Sequence, residues 1–178
     1  MTIEPFWAQV SEPILRQGDL LPNCLVLIRG SDSQTEAGSW EAVAMEYDLV
    51  VLTQSCDLEQ RKVRLVAICP IYPLSEFQAV NPAFACKGRW NEVLKGRVEG
   101  LHLLASLTAP DDNRQALVVT FREIYSLSYD YLTNHASRLG SRWRLKSPFL
   151  EHFSQAFARF FHARGTPIHD SAVPITLS

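Results

Sequence analysis

The segment Tyr47-Asp48-Leu49-Val50-Val51-Leu52-Thr53 constrains the fold more than any other stretch of the chain. Its apolar residues run without a polar break between polar flanks, which predicts a strand covered on both faces. Such a strand needs neighbours in a sheet and an apolar layer above and below it. Val63-Arg64-Leu65-Val66-Ala67-Ile68-Cys69 alternates and stops at Pro70, so it reads as the next strand, with residues 57–62 as the connection. Leu20 to Ile28, kinked at Pro22 and ended by the turn Gly30-Ser31-Asp32-Ser33, reads as the preceding one. Residues 34–40 are small and polar and read as a mobile loop between strands.

Helical patterns supply the layers. Leu74, Phe77 and Val80, then Phe84, Trp90, Val93 and Leu94, recur at helical intervals with Pro82 and Gly88 as breaks, so two short helices are inserted at about 73–96. Strands resume at Gly100 to Leu107, turn at Ala109-Pro110-Asp111-Asp112-Asn113 and return through Ala116 to Ile124 as a hairpin. Ser147 as N-cap, Pro148 at the first helical position, and Gly165 with Pro167 at the end mark out a last helix. Phe149, Phe153, Ala156, Phe157 and Phe160 share one face of it, with Phe161 off that stripe. Phe6, Trp7, Val10, Ile14 and Leu15, with Pro13 as a break, read as a short leading helix. The domain organisation is therefore an extension over 1–16, one domain over 17–165, and a tail over 166–178.

The 178 residues, 47% of them apolar and 20% charged, suit one complete hydrophobic core. A net charge of −2 excludes a whole-molecule field that would draw the chain onto a polyanion, so any nucleic-acid contact must be a local patch. The start of the chain lacks the pattern of a secretion signal, and no stretch is apolar enough to cross a bilayer, so a cytoplasmic protein away from the membrane is expected. Cys24, Cys56, Cys69 and Cys86 form no metal-binding spacing. Cys24, Cys69 and Cys86 read as buried free thiols, and neither metal nor cofactor is called for.

Taken in order, Gly18-Asp19-Leu20, Leu49-Val50-Val51-Leu52-Thr53, Ala67-Ile68-Cys69-Pro70, Arg122-Glu123-Ile124-Tyr125-Ser126-Leu127 with Leu132, and Leu145-Lys146-Ser147-Pro148 resemble the motifs of the MazF/PemK family. The resemblance covers roughly 20–160. It implies an α+β, mainly β fold: a MazF/PemK-like SH3-type β-barrel with inserted short helices and a C-terminal α-helix. It also implies a toxin–antitoxin or phage-defence setting, single-stranded RNA as substrate, an antitoxin or other protein partner, and a homodimer. Family ribonucleases place an Arg-Pro before the buried strand and a Thr or Ser after the next strand's proline. Here Tyr47-Asp48 and Ile71-Tyr72 hold those places.

The residues themselves offer a site at the end of the buried strand. Metal-free RNA cleavage needs a base, an acid and a cation, and Cys56, Asp57 and Arg64 are the candidates for a catalytic set. Thr53, Gln54, Arg61 and Lys62 in the same stretch, with Arg122, Arg138 and Arg142 further on, are candidates for RNA contact. Arg144, Lys146, His135 and Trp143 interleave with the last two in a segment that reads as an insertion loop. Against this stands a plain alternative, in which Ser55 and Asp57 cap a turn and the charges face water. Three functions follow: an endoribonuclease with an altered site, a barrel that binds RNA or a protein without cutting, or a Cys-dependent hydrolase or redox sensor at Cys56.

Overall fold

The computed structural model describes residues 6–34, 40–108 and 115–164. It is an α+β structure of antiparallel strands. β1 (Trp7–Val10), β2 (Leu20–Gln34), β3 (Trp40–Val51) and β4 (Leu65–Pro73) come first, with the short α1 (Ser55–Glu59) before β4. The insertion follows as α2 (Leu74–Val80), a 3-10 turn at Pro82–Phe84 and α3 (Lys87–Leu94). β5 (Leu101–Leu104), β6 (Leu117–Thr120), β7 (Tyr125–Ser128), α4 (Tyr129–Leu139), β8 (Arg142–Leu145) and α5 (Phe149–Arg164) complete it.

β2, β3, β4, β6 and β5 lie side by side in that order, and β7 also pairs with β4. β6 and β7 act as one interrupted strand along β4. Ile71 faces Val119 and Ile68 faces Tyr125, where a regular ladder would bring Arg122 opposite Ile68. Residues 121–124 absorb the slip as a bulge, which bends the sheet. β1 pairs with β8, and this pair meets the start of β2 at the bridge between Asp19 and Arg144. Among the described residues no pairing joins β5 or β7 back to β2 or β8, so the sheet is open and the expected barrel is not closed.

The apolar run that opened the sequence reading is explained by its two faces. Leu49 and Val51 pack with Leu21, Val26, Val66, Ile68 and Leu132 of α4 on one side. Val50 and Leu52 pack with Leu20, Cys69, Val119, Phe121 and the α5 residues Phe153 and Phe160 on the other. All four residues of the run are at most 1% exposed. Full burial of each stabilises the fold by about 1.5–3 kcal/mol. The inserted helices carry a third, smaller core of Phe77, Trp90 and Val93 against Leu101 and Val118.

The kink at Pro22 is present as a register shift between Leu21 and Cys24, with Asn23 at φ 54 and its N–H donated to Asp48 Oδ1 at 3.0 Å. Four readings are corrected. The residues expected to turn at Gly30-Ser31-Asp32-Ser33 continue β2, which runs on to Gln34, itself paired with Trp40 at the start of β3. The leading segment is the strand β1, because its backbone groups are satisfied by β8. The insertion loop is α4 and β8. Cys86 is exposed, whereas Cys24 and Cys69 are buried as read. The loop tip at 35–39 and the hairpin turn at 109–114 lie outside the described residues. No helix among the described residues is long and apolar enough to cross a membrane.

Candidate functional site

At the end of β3 much of the polar run is spent on structure. The Thr53 hydroxyl accepts the Ala67 N–H at 2.8 Å, taking the place of a ladder bond. Ser55 Oγ accepts the Gln17 N–H at 3.1 Å, Gln17 Nε2 donates to the Leu52 carbonyl at 2.8 Å, and Ser154 Oγ donates to Gln17 Oε1 at 3.1 Å. These bonds brace the turn between β2 and α5. Gln54 is exposed and makes no side-chain cap to α1. Cys56 is exposed, its Sγ 3.7 Å from Gln54 Oε1 and 3.9 Å from Asp57 Oδ1. Arg61, at φ 49, holds its guanidinium 5.7 Å from the centre of the Tyr129 ring. Lys62 and Arg64 are exposed and, like Arg61, have no ion pair among the described residues. The turn therefore gathers Gln54, Cys56, Asp57, Arg61, Lys62 and Arg64 near one another, but no bond ties Arg64 to the thiol or the carboxylate.

The remaining three arginines do not join them. Arg122 is exposed and donates to the Glu99 carbonyl at 3.2 Å. Arg138 is exposed on α4. Arg142 is buried, with Nε on Asp19 Oδ2 at 2.7 Å and its terminal nitrogens on the carbonyls of Glu12 and Ile14, each at 2.7 Å. Its donors are spent inside the protein, so it is a clamp and not an RNA contact. His135 is buried on α4, with Nε2 2.7 Å from the Pro22 carbonyl, and so holds α4 to the kink in β2.

A different constellation gathers around Tyr47 and Tyr72. Leu49 pairs with Pro70, so continuing the ladder sets Tyr47 beside Tyr72, and Tyr125 stands on the neighbouring strand. The rings of Tyr47 and Tyr125 are 5.7 Å apart and tilted by 30°. Tyr72 donates its hydroxyl to Glu123 Oε2 at 2.7 Å, and Glu123 sits in the bulge between β6 and β7. Burial, followed by the bond to Glu123, raises the Tyr72 hydroxyl well above the ordinary tyrosine range. Burial, followed by the bond with Tyr47, pushes Tyr125 up to about 12. Both phenols stay protonated at neutral pH and act as donors and flat surfaces, not as bases. All three tyrosines are partly exposed, and Met45 beside Tyr47 is 44% exposed.

This cluster is distinct from the turn at α1. β4 leaves the cationic turn at Leu65 and reaches Tyr72 seven residues later, a span of roughly 23 Å in extended chain. Tyr47 and Tyr72 stand out in the sequence, while Tyr125 and Glu123 do not. What unites the four is cross-strand pairing, which local pattern does not record. No family model matches the chain, and no curated protein was found to be similar to it.

Proposed function

We propose that this chain is a MazF/PemK-like module, related to the SH3-type barrel, that binds single-stranded RNA without cleaving it. The observation that carries the proposal is the Tyr47, Tyr72 and Tyr125 group on adjacent strands; on the resemblance, Tyr47 and Tyr72 stand where the family's ribonucleases hold a catalytic arginine and hydroxyl. Aromatic faces of this kind stack unpaired bases, and stacking is worth about 1–3 kcal/mol per base. Cleavage asks for more. The developing charge on a phosphorane needs a cation aimed at it, and tyrosines held protonated by burial supply neither that cation nor a base. The toxin–antitoxin or defence setting, the antitoxin-like partner and the homodimer come with the resemblance and belong to the same proposal.

Fluorescence anisotropy of a labelled, mixed-sequence RNA with the full chain tests it. Tyr47→Ala and Tyr72→Ala each weaken binding by about 1–3 kcal/mol, and the same RNA run on a gel stays intact. Binding that is undiminished in both variants would sink the aromatic platform.

A second reading is the endoribonuclease, favoured by one observation: the exposed Cys56 thiol lies 3.9 Å from the Asp57 carboxylate, in a turn with Arg61, Lys62 and Arg64, none of which has an ion pair among the described residues. Cleavage on that gel, lost in Asp57→Ala and Arg64→Ala, establishes this reading over the first.

A further inference from the structure

The phenol hydrogens of the tyrosine group already have acceptors. Tyr72 donates to Glu123 Oε2 at 2.7 Å, Tyr47 to Met45 Sδ at 3.6 Å, and Tyr125 is bonded to Tyr47. What the group still offers a ligand is acceptors, and the strongest of them is the Glu123 carboxylate. It stands on the bulge between β6 and β7, where the Glu123 N–H closes a turn on the Thr120 carbonyl at 3.3 Å. The residue is exposed, and among the described residues no cation is paired with it and Oε1 has no hydrogen bond. A carboxylate has about four lone-pair sites, so the Tyr72 bond leaves room for a further pair of donors. The same bond holds the carboxylate beside the rings instead of letting it swing into water.

The rings restrict what can approach. Tyr47 and Tyr125, both partly exposed, are 5.7 Å apart and tilted by only 30°, so they form a shallow surface and not the walls of a cage. A flat body fits such a surface better than a compact ammonium, which is held by rings set around it. A phosphate is repelled by the nearby carboxylate. The ligand that suits both features is an unpaired base with two adjacent N–H donors on its edge. Guanine is the RNA base that has them, with N1–H beside the N2 amino group. Adenine and cytosine each set one amino group beside an acceptor nitrogen, and uracil sets one N–H between two carbonyls that a carboxylate repels.

We infer that the tyrosine group selects guanine in single-stranded RNA. The base stacks on the Tyr47 and Tyr125 rings while N1–H and N2–H donate to Glu123, which Tyr72 holds in place. The inference rests on the RNA-binding reading above and names the base that the surface prefers.

Fluorescence anisotropy of the full chain tests it with short labelled uridine strands that carry one central guanosine, adenosine or inosine. Adenosine is the comparison because it stacks as large a face. The guanosine strand binds about tenfold more tightly than the adenosine strand, within the discrimination of a bidentate base contact. Inosine keeps N1–H and lacks the N2 amino group, so it binds about fivefold more weakly than guanosine, the value of one hydrogen bond. Glu123→Gln keeps an acceptor for Tyr72 and replaces the other oxygen by an amide donor. In this variant the adenosine strand binds within about twofold of wild type, while the advantage of guanosine over adenosine and over inosine falls to about twofold or less. Equal affinity of guanosine and adenosine strands for the wild type, or a guanosine advantage that survives Glu123→Gln, overturns the inference and leaves the aromatic platform standing. Binding of no strand overturns the platform and the guanine preference together. Displacement of the guanosine strand by L-argininamide as readily as by guanosine monophosphate makes the surface a reader of cationic protein side chains and also overturns the inference.

Discussion

Asp19 shows how far a residue's role can lie from its look in sequence. It is wholly buried and accepts hydrogen bonds from Arg142 Nε at 2.7 Å, from Arg144 and from the Arg16 backbone N–H at 3.0 Å. Arg144 also holds Glu12, and that bond keeps the Glu12 carboxyl below its usual range. Removing the buried acid leaves the buried Arg142 without a carboxylate, so Asp19→Ala should cost about 3–5 kcal/mol in urea unfolding. Arg138→Ala, at an exposed site, should stay within about 0.5 kcal/mol. His102 gives a prediction in pH. Its folded value is about 4 against an ordinary 6.5, so above pH 6.5 the ring is neutral in both states and neutral conditions lose nothing. As pH falls from 6.5 towards 4 the unfolded chain binds a proton that the folded chain resists, and stability drops by up to about 3 kcal/mol. Urea melts of wild type and His102→Phe across that window should show the acid limb flattened in the variant; parallel limbs would refute the assignment.

Among the elements, α5 was the most legible and α4 the least. The Phe stripe of α5 folds inward as its spacing foretold: Phe153 is fully buried, Phe160 is 6% exposed, and Phe161, off the stripe, is 53% exposed. Phe153→Ala should therefore cost about 3–5 kcal/mol, and Phe161→Ala less than about 0.5 kcal/mol, in the same unfolding assay. α4 carries its apolar contacts on Tyr129, Leu132 and Ala136, which keep a helical period but are too mixed in character to announce a buried face. β8 was hidden for a related reason. Its alternating Arg142 and Arg144 look like a solvated stretch until Asp19, more than 120 residues earlier, is placed against them. The seating of β2 on α5 depends on Gly18, at φ +81, where a Cβ would lie 2.9 Å from Leu150 Cδ1 and 3.0 Å from Leu145 Cβ. Both the backbone angle and the space require glycine there.

For the whole molecule, a net charge of −2 means that RNA must be held by a local surface, and salt can report which one. Binding through the tyrosines should give a slope of log K against log salt smaller in magnitude than about 1, whereas engagement of Arg61, Lys62 and Arg64 should give about −2, at roughly −0.7 per phosphate. A titration from low to moderate salt separates them. The sequence alone determined the elements whose signal is local: the doubly covered strand β3, the alternating β4, the inserted helices and the Phe-faced α5. Burial on one or both faces writes itself into neighbouring residues, so it can be read from a short window. The tertiary structure decided everything that depends on partners far along the chain. It made a strand of residues 7–10 by supplying β8, turned Arg142 from a candidate RNA contact into a buried clamp, and left the sheet open among the described residues. It also gathered three tyrosines from three strands and a glutamate from the bulge beside them, because cross-strand register, unlike burial, leaves no periodic trace in the sequence.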